Sequence, residues 1–306
     1  MDSQFRRTTS PPLDPSGPSF FSIPNTSNLT PFQKVLLISL AVSFLAINFT
    51  FYRLASILSR ESRKSGSIGQ SAATPTGQFA HLLVVLGSGG HTAEMLNILS
   101  TSLPSLQAPW TFNFRTYVIS SGDSFSAQRA QEFESALAER SAAVQEESVP
   151  SYSIITVHRA RKVHQSLFTA PLSSLRCLWD CLRVLIGSHP NIIQTGTSVR
   201  GTPDLILTNG PGTGVIVILA SLILLFFGLG GTSTSSPSMN ESKTLAQDAA
   251  QSGQMRSIYI ESWARVKTLS LSGRLLKPLV DRFIVQWPQL VETEGKRVEY
   301  IGPLVT

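Results

Sequence analysis

"VVLGSGGHTAEML", Val84 to Leu96, decides how this chain is read. Together with His81–Leu83 it opens as a continuous apolar run, "HLLVVLG", suited to a strand buried on both faces of a parallel sheet. It then breaks into Gly87, Gly89 and Gly90, passes His91 and continues as a helix over about 91–100. Glycines at such a turn let backbone N–H groups face an anion at the positive end of the helix. The turn therefore points to a phosphate. Of the five histidines, His91 alone sits on a glycine-rich loop.

Working outward, strand and helix patterns alternate. "RTYVISS" reads as a strand, Ser124 to about Arg140 as a helix, and "YSIITVH" as a strand. A long helix from about Val163 to Ile186 follows, then "PDLILTN", an apolar helix, "RSIYIES" and "RFIVQ". That alternation predicts an α/β fold, one Rossmann-like doubly wound parallel-sheet domain over 79–306. Two stretches interrupt it: a polar loop, His189–Pro203, and a low-complexity insertion over 230–253 that reads as disordered. Val215–Leu229 is apolar but short for a bilayer span, so it reads as a buried or membrane-touching helix of the domain.

Ahead of the domain, residues 1–31 have the Pro/Ser/Thr/Asn composition of a disordered arm. "KVLLISLAVSFLAINFTFYR" is apolar from Val35 to Phe51, which predicts a single transmembrane anchor over 32–58 and a Ser/Gly/Thr linker over 59–78. The arm is too long for a signal-peptide n-region and no small-x-small cleavage site follows, so the anchor is read as uncleaved. Lys34 alone flanks it on one side, against Arg53, Arg60, Arg63 and Lys64 on the other, which places everything after residue 53 in the cytosol. The sequons at Asn25 and Asn28 then lie on the lumenal side and the one at Asn240 on the cytosolic side.

Composition narrows the partners. Lys and Arg number 25 against 19 Asp and Glu, but the excess is spread without a dense basic block, which argues against nucleic acid. An anionic membrane surface or substrate fits better. Cys177 and Cys181 stand four apart in a helical stretch, poorly aimed for a disulfide, and are expected as reduced thiols. No histidine has ligand spacing with cysteines or carboxylates, so neither a metal nor another cofactor is expected.

Known phosphate loops fit Gly87–Thr92 badly. A P-loop would end in Gly-Lys-Ser/Thr, whereas this turn ends in Gly-His-Thr. A dinucleotide fingerprint would want a third glycine at Thr92 and an acidic residue closing the next strand, where Ser120 and Ser121 stand. A second glycine turn, "NGPGTG" from Asn209 to Gly214, occupies another strand-to-helix junction. Turns at the carboxyl ends of parallel strands share one edge, so an anion site built from both is expected. Its candidates are Gly87, Ser88, Gly89, Gly90 and Thr92 with Asn209, Gly210, Gly212 and Thr213. The alternative is that the glycines only permit tight turns.

"GSGGHTAEML", "RARKVHQS", "PDLILTNGPGTG", "IYIESWARVKTLSLSG", "DRFIVQWPQL" and "YIGPLV" occur in that order. In this the chain resembles the membrane-anchoring subunits of the endoplasmic-reticulum UDP-N-acetylglucosamine transferase, over roughly residues 35–306 apart from the insertion. The resemblance implies the acceptor-binding half of a GT-B glycosyltransferase, similar to the N-terminal half of the bacterial enzyme that glycosylates lipid-linked muramyl-pentapeptide. It implies dolichyl-diphosphate-GlcNAc as acceptor, UDP-GlcNAc as donor, and a soluble donor-binding glycosyltransferase subunit as partner at the ER membrane. The acceptor diphosphate would meet both glycine turns and the basic Arg159, Arg161 and Lys162. Two positions depart from the pattern: His158 stands before the basic block, and Gly214 where the family often has Cys.

An inverting transfer of this kind needs a base for the acceptor hydroxyl. His91 can take a proton near neutral pH, and base, phosphate ligand and structural turn residue are all open for it. Glu261, closing "SIYIE", is the second catalytic candidate, with Ser262 and Arg265 behind it; the bland alternative is a surface pair between Glu261 and Arg265. Trp287 reads as packing or a partner contact. The chain stops after "YIGPLVT", where a donor-binding domain would begin, so the donor half is expected from another polypeptide, docked on Tyr300–Thr306, and the isolated chain is expected to be inactive. A membrane-bound dinucleotide oxidoreductase and a non-enzymatic recruitment anchor are the competing classes.

Overall fold

The first helix begins where a local signature puts it. In the computed structural model, α1 runs from Pro31 to Leu58, four residues earlier than the start of the apolar run. Thr30 and Gln33 form a capping box: the Gln33 N–H donates to the Thr30 hydroxyl at 3.3 Å, and the Thr30 N–H to the Gln33 side chain at 3.0 Å. Pro31 occupies the first helical position, where its missing N–H costs nothing. Twenty-eight residues rise about 42 Å, more than the hydrocarbon thickness of a bilayer. The mean hydropathy of its most apolar window is 2.1, and the helix is long and apolar enough to cross a membrane. Ser39, Asn48 and Thr50 do not spoil it, because each donates back to a carbonyl three or four residues earlier at 2.8 Å.

The structure describes residues 30–59, 79–105, 111–143, 151–161, 165, 170–190, 193–194, 202–210, 212–229 and 254–304. The expected arm, linker and insertion fall almost wholly outside these residues, as do the three sequons and Lys162. Residues up to Phe51 form one compact unit and Tyr52 onward another.

In the second unit, β1 (Phe79–Leu86) leads into α2 (Gly90–Ser105), β2 (Thr111–Ser120), α3 (Ser124–Ala143) and β3 (Ser151–Val157). Then come α4 (Ala170–Leu185), β4 (Ile193–Gln194), β5 (Leu205–Thr208) and α5 (Thr213–Phe226). The last elements are β6 (Arg256–Ile260), α6 (Leu271–Leu276), β7 (Arg282–Val285), α7 (Pro288–Glu294) and β8 (Glu299–Tyr300). They build one sheet in the order β4-β3-β2-β1-β5-β6-β7-β8, parallel throughout except for β4 at one edge. The polar loop His189–Pro203 thus supplies a two-residue antiparallel strand that its composition does not announce.

Two layers cover the sheet. Leu82, Val84 and Leu86 of β1 meet Met95, Ile98 and Leu99 of α2 on one face. Leu83 and Val85 point to the other, against α4 and α5. This is the doubly wound arrangement, and burying both faces of β1 explains its unbroken apolar run. α5 is a core helix of fourteen residues with Val217, Ile218, Ala220 and Leu224 inside. Cys177 and Cys181 are buried free thiols with sulfurs 3.9 Å apart, and the contact with Cys177, together with burial, pushes the Cys181 thiol up.

One polar cluster pins α3 to the sheet. Arg115 of β2 donates from Nε and Nη2 to the two oxygens of Glu134 on α3, each at 2.6 Å, and the Tyr117 hydroxyl donates to the same carboxylate at 2.6 Å. All three residues are buried. Burial and the neighbouring carboxylate push the Tyr117 phenol up, so it stays a neutral donor.

Candidate functional site

Strand order reverses at β1 and β5, which lie side by side with Val85 opposite Thr208. The chain leaves β1 toward β2 on one side and leaves β5 toward β6 on the other, and such a switch point opens a crevice at the carboxyl ends of the strands. Both glycine turns lie there, and they touch. A Cβ on Gly210 would come within 3.3 Å of the Gly87 Cα, and one on Gly87 within 2.8 Å of the His91 Cβ. Gly87 has no room for a side chain, and at Gly210 the Gly87 backbone would have to give by a few tenths of an ångström. Gly89 has φ +62°, a conformation glycine takes without strain, and Gly90 has open space where a Cβ would go. Ser88, Gly89 and Gly90 are exposed at the start of α2, free to present backbone N–H groups to a ligand.

His91 is half-buried on the first turn of α2. Asn209, from the other glycine turn, donates to the His91 carbonyl at 2.8 Å and approaches Glu94 Oε2 at 3.4 Å. Ser262, from the loop after β6, donates to Glu94 Oε1 at 2.9 Å. Glu94 Oε2 lies 3.8 Å from His91 Nδ1, within ion-pair reach but beyond a hydrogen bond. His91 Nδ1 and Asn209 Oδ1 are buried with no hydrogen-bond partner. Burial would raise the Glu94 carboxyl, but the contacts from His91 and Ser262 outweigh it and hold the group below the usual carboxylate range. Glu94 stands three residues after His91 in "HTAE", the spacing of one helix face, and that spacing is the sequence signal for it.

Other expected residues have different work. Thr92 is fully buried, and its hydroxyl bonds the Gly87 carbonyl and Ser126 Oγ, so its side chain closes the turn. The Thr213 hydroxyl is joined to Ser120 Oγ at 2.7 Å. A Cβ on Gly214 would collide with Thr208 Oγ1, which itself accepts from the Gly210 N–H at 3.3 Å.

Glu261 is held by its own loop. It is 1% exposed and its carboxylate is closed into its own loop. Oε2 accepts from the Ser270 N–H at 2.9 Å and hydroxyl at 3.1 Å, and Oε1 from the Ser262 N–H at 3.1 Å. A carboxylate so occupied ties the residue 261–270 loop to the start of α6. No ion pair joins it to Arg265, which is exposed and whose N–H donates to the Ser262 carbonyl at 2.9 Å. Trp287 packs on Trp263 with ring centroids 4.5 Å apart and donates to its carbonyl at 2.7 Å.

The basic segment after β3 borders the same edge. A Cβ on Gly212 would touch the Ala160 Cβ at 3.4 Å, which sets Arg159 and Arg161 beside the second glycine turn. The Arg159 N–H donates to Ser121 Oγ at 3.2 Å, and Ser173 and Ser174 of α4 donate to the Ala160 carbonyl at 2.9 and 3.2 Å. His158 is fastened by Asp180, which accepts from its N–H at 2.8 Å and from its ring at 2.5 Å. Among the described residues no cluster of His, Cys, Asp and Glu could hold a metal ion.

The profile of the family described as "Oligosaccharide biosynthesis protein Alg14 like" matches residues 82–304, from β1 to beyond β8. The chain belongs to the Alg14 family. Relatives within it are similar along most of their length. "UDP-N-acetylglucosamine transferase subunit alg14" of Aspergillus fumigatus is 45% identical over 64% of this chain and 95% of the relative. The Schizosaccharomyces pombe protein of the same name is 37% identical over 72% and 82%. The Homo sapiens protein "UDP-N-acetylglucosamine transferase subunit ALG14" is 35% identical over 73% and 82%. Family members are thus named as subunits of a glycosyltransferase. The Alg14 match spans both glycine turns, the basic segment and the Glu261–Ser270 loop.

Proposed function

We propose that this Alg14 protein is the membrane-bound, acceptor-binding subunit of the transferase that adds GlcNAc from UDP-GlcNAc to dolichyl-diphosphate-GlcNAc. The reaction is the second step of lipid-linked oligosaccharide assembly for protein N-glycosylation, at the cytosolic face of the ER membrane. α1 is the anchor, residues 79–306 form half of a GT-B fold, and a soluble subunit brings the donor. One observation carries this reading: two glycine turns meet at the switch point of the sheet, with Arg159 and Arg161 beside them. The exposed backbone of Ser88–Gly90 at the start of α2 holds the acceptor diphosphate, and the arginines neutralise it.

In this mechanism His91 Nδ1–H faces the Glu94 carboxylate, which leaves Nε2 as the proton acceptor. Nε2 takes the proton of the acceptor 4-hydroxyl as that oxygen bonds to the anomeric carbon of UDP-GlcNAc. The bond from that carbon to the UDP oxygen breaks, UDP leaves, and the configuration inverts. Asn209 and Ser262 hold the His91–Glu94 pair from two other loops. Glu261 has a supporting part, since it fixes the loop that delivers Ser262.

Reconstitution tests the division of labour. The full chain in proteoliposomes and the soluble donor-binding subunit should each be inactive alone, and GlcNAc transfer to the lipid acceptor should appear when they are combined. Transfer by this chain alone would overturn it.

A further inference from the structure

Two diphosphates have to meet at the reacting centre. The acceptor carries one on C1 of the sugar whose 4-hydroxyl attacks, and the donor carries the other on the anomeric carbon that is attacked. With inversion, the bond that breaks lies opposite the bond that forms, so the two anions stand on opposite sides of that carbon. The sheet edge has basic groups on both sides of His91. Arg159 and Arg161 follow β3, two strands from β1 across β2. On the other side β6 is also two strands from β1, across β5. At the usual strand spacing each flank lies roughly 10 Å from β1. The loop after β6 carries Arg265 and Lys267, both exposed.

Buried residues fix that loop at both ends. Glu261 bonds the N–H groups of Ser262 and Ser270 across its base, and Leu269 is buried in the core. Inside the loop the Ala264 N–H donates to Ser262 Oγ at 3.3 Å, and the Arg265 N–H to the Ser262 carbonyl at 2.9 Å. Ser262 Oγ in turn donates to Glu94, the carboxylate beside His91. The backbone of Arg265 is thus tied, through one serine, to the pair that holds the base. Its guanidinium makes no hydrogen bond or ion pair among the described residues, and neither does the Lys267 ammonium. The acceptor diphosphate, met by the first glycine turn with Arg159 and Arg161, gives these two cations no task.

We propose that Arg265, with Lys267 beside it, binds the diphosphate of the nucleotide-sugar, so that this chain completes the donor site from across the subunit boundary. The inference rests on the reading of the chain as the acceptor-binding subunit. As the acceptor 4-oxygen bonds to the anomeric carbon, its proton passes to His91 Nε2. The electron pair of the breaking bond stays on the β-phosphate oxygen of UDP. The Arg265 guanidinium donates to that phosphate as its charge grows, which lowers the barrier to departure. The clasp between Glu261 and Ser270 keeps this cation in register with the base.

The test titrates UDP and uridine monophosphate into the detergent-solubilised complex of the full chain with the soluble subunit. Arg265→Ala should weaken UDP binding severalfold and leave uridine monophosphate, which lacks the β-phosphate, unchanged. Arg265→Lys should fall between Arg265→Ala and wild type. Arg274→Ala, which removes an exposed charge from α6, should change neither ligand. In turnover, kcat of the Arg265→Ala complex should fall severalfold with acceptor KM unchanged. Wild-type UDP affinity in Arg265→Ala overturns the proposal, and a raised acceptor KM beside it would assign the cation to the acceptor diphosphate instead. An equal loss of UDP binding in Arg274→Ala also overturns it, as an effect of overall surface charge. The titration needs no catalysis, so a wild-type complex that binds UDP but transfers nothing to the lipid acceptor defeats the acceptor-subunit reading separately.

Discussion

Gly87 and Gly210 touch backbone to backbone: a Cβ on Gly210 would stand 3.3 Å from the Gly87 Cα. A side chain at Gly87 would strike His91 and one at Gly210 would press on the Gly87 backbone, so glycine at both keeps the turns after β1 and β5 close together, where Asn209 donates to the His91 carbonyl. The glycines of the first turn therefore have separable duties, and substitution tells them apart.

Gly90→Ala meets no protein atom within 4 Å, so the thermal midpoint should stay at the wild-type value while acceptor KM rises, because the methyl group intrudes where phosphate approaches. Gly87→Ala strikes His91 and should cost about 1–3 kcal/mol of stability as an overpacked site. Thermal melts paired with acceptor titrations check both. A Gly90→Ala complex with unchanged KM would remove the exposed turn from the binding site.

Glu94 predicts a pH dependence. Its folded-state carboxyl lies below the ordinary value of 4.5, so its contribution to stability is complete above that value and is lost as pH falls through the folded one. Melting temperatures followed from pH 7 downward should decline less steeply in the acid range for Glu94→Gln than for wild type. Parallel curves would show that Glu94 gains nothing from His91 and Ser262 on folding.

Glu134→Ala leaves Arg115 charged and buried without its partner. Breaking such a pair costs about 3–5 kcal/mol, whereas Arg115→Met with Glu134→Leu should recover much of the loss. Melts of the full chain decide it; a single variant within about 0.5 kcal/mol of wild type would mean that water reaches the site.

The parts of the fold that repeat a period were legible in advance. β1 and β5 show as apolar runs ending in glycine turns, and the helices after them show because their buried positions recur every three or four residues. α6 and α7, of six and seven residues, are too short to display a period, and β4 and β8 have two residues each. The start of α1 is written in "TPFQ", although the apolar run beyond it dominates any hydropathy reading. The site was half legible. Glycine and histidine in the first turn mark the candidate, and Glu94 stands at the next turn of the same helix. Glu261 shows the limit: a carboxylate closing a strand looks available, and no local spacing connects it to Ser270, nine residues on, where the loop folds back to occupy it. The Arg115–Glu134 pair is hidden for the same reason, since its partners lie nineteen residues apart on different elements.

The central claim is that His91 is the base of a transfer reaction completed by a second subunit, and acceptor kinetics of the His91→Ala complex test it most directly. With the donor-binding subunit saturating, kcat should fall by roughly two to four orders of magnitude while acceptor KM stays near wild type. A raised KM with kcat retained, partly restored by His91→Arg, would make His91 a phosphate ligand instead. Wild-type values for both constants would contradict the account and leave the residue as part of a turn.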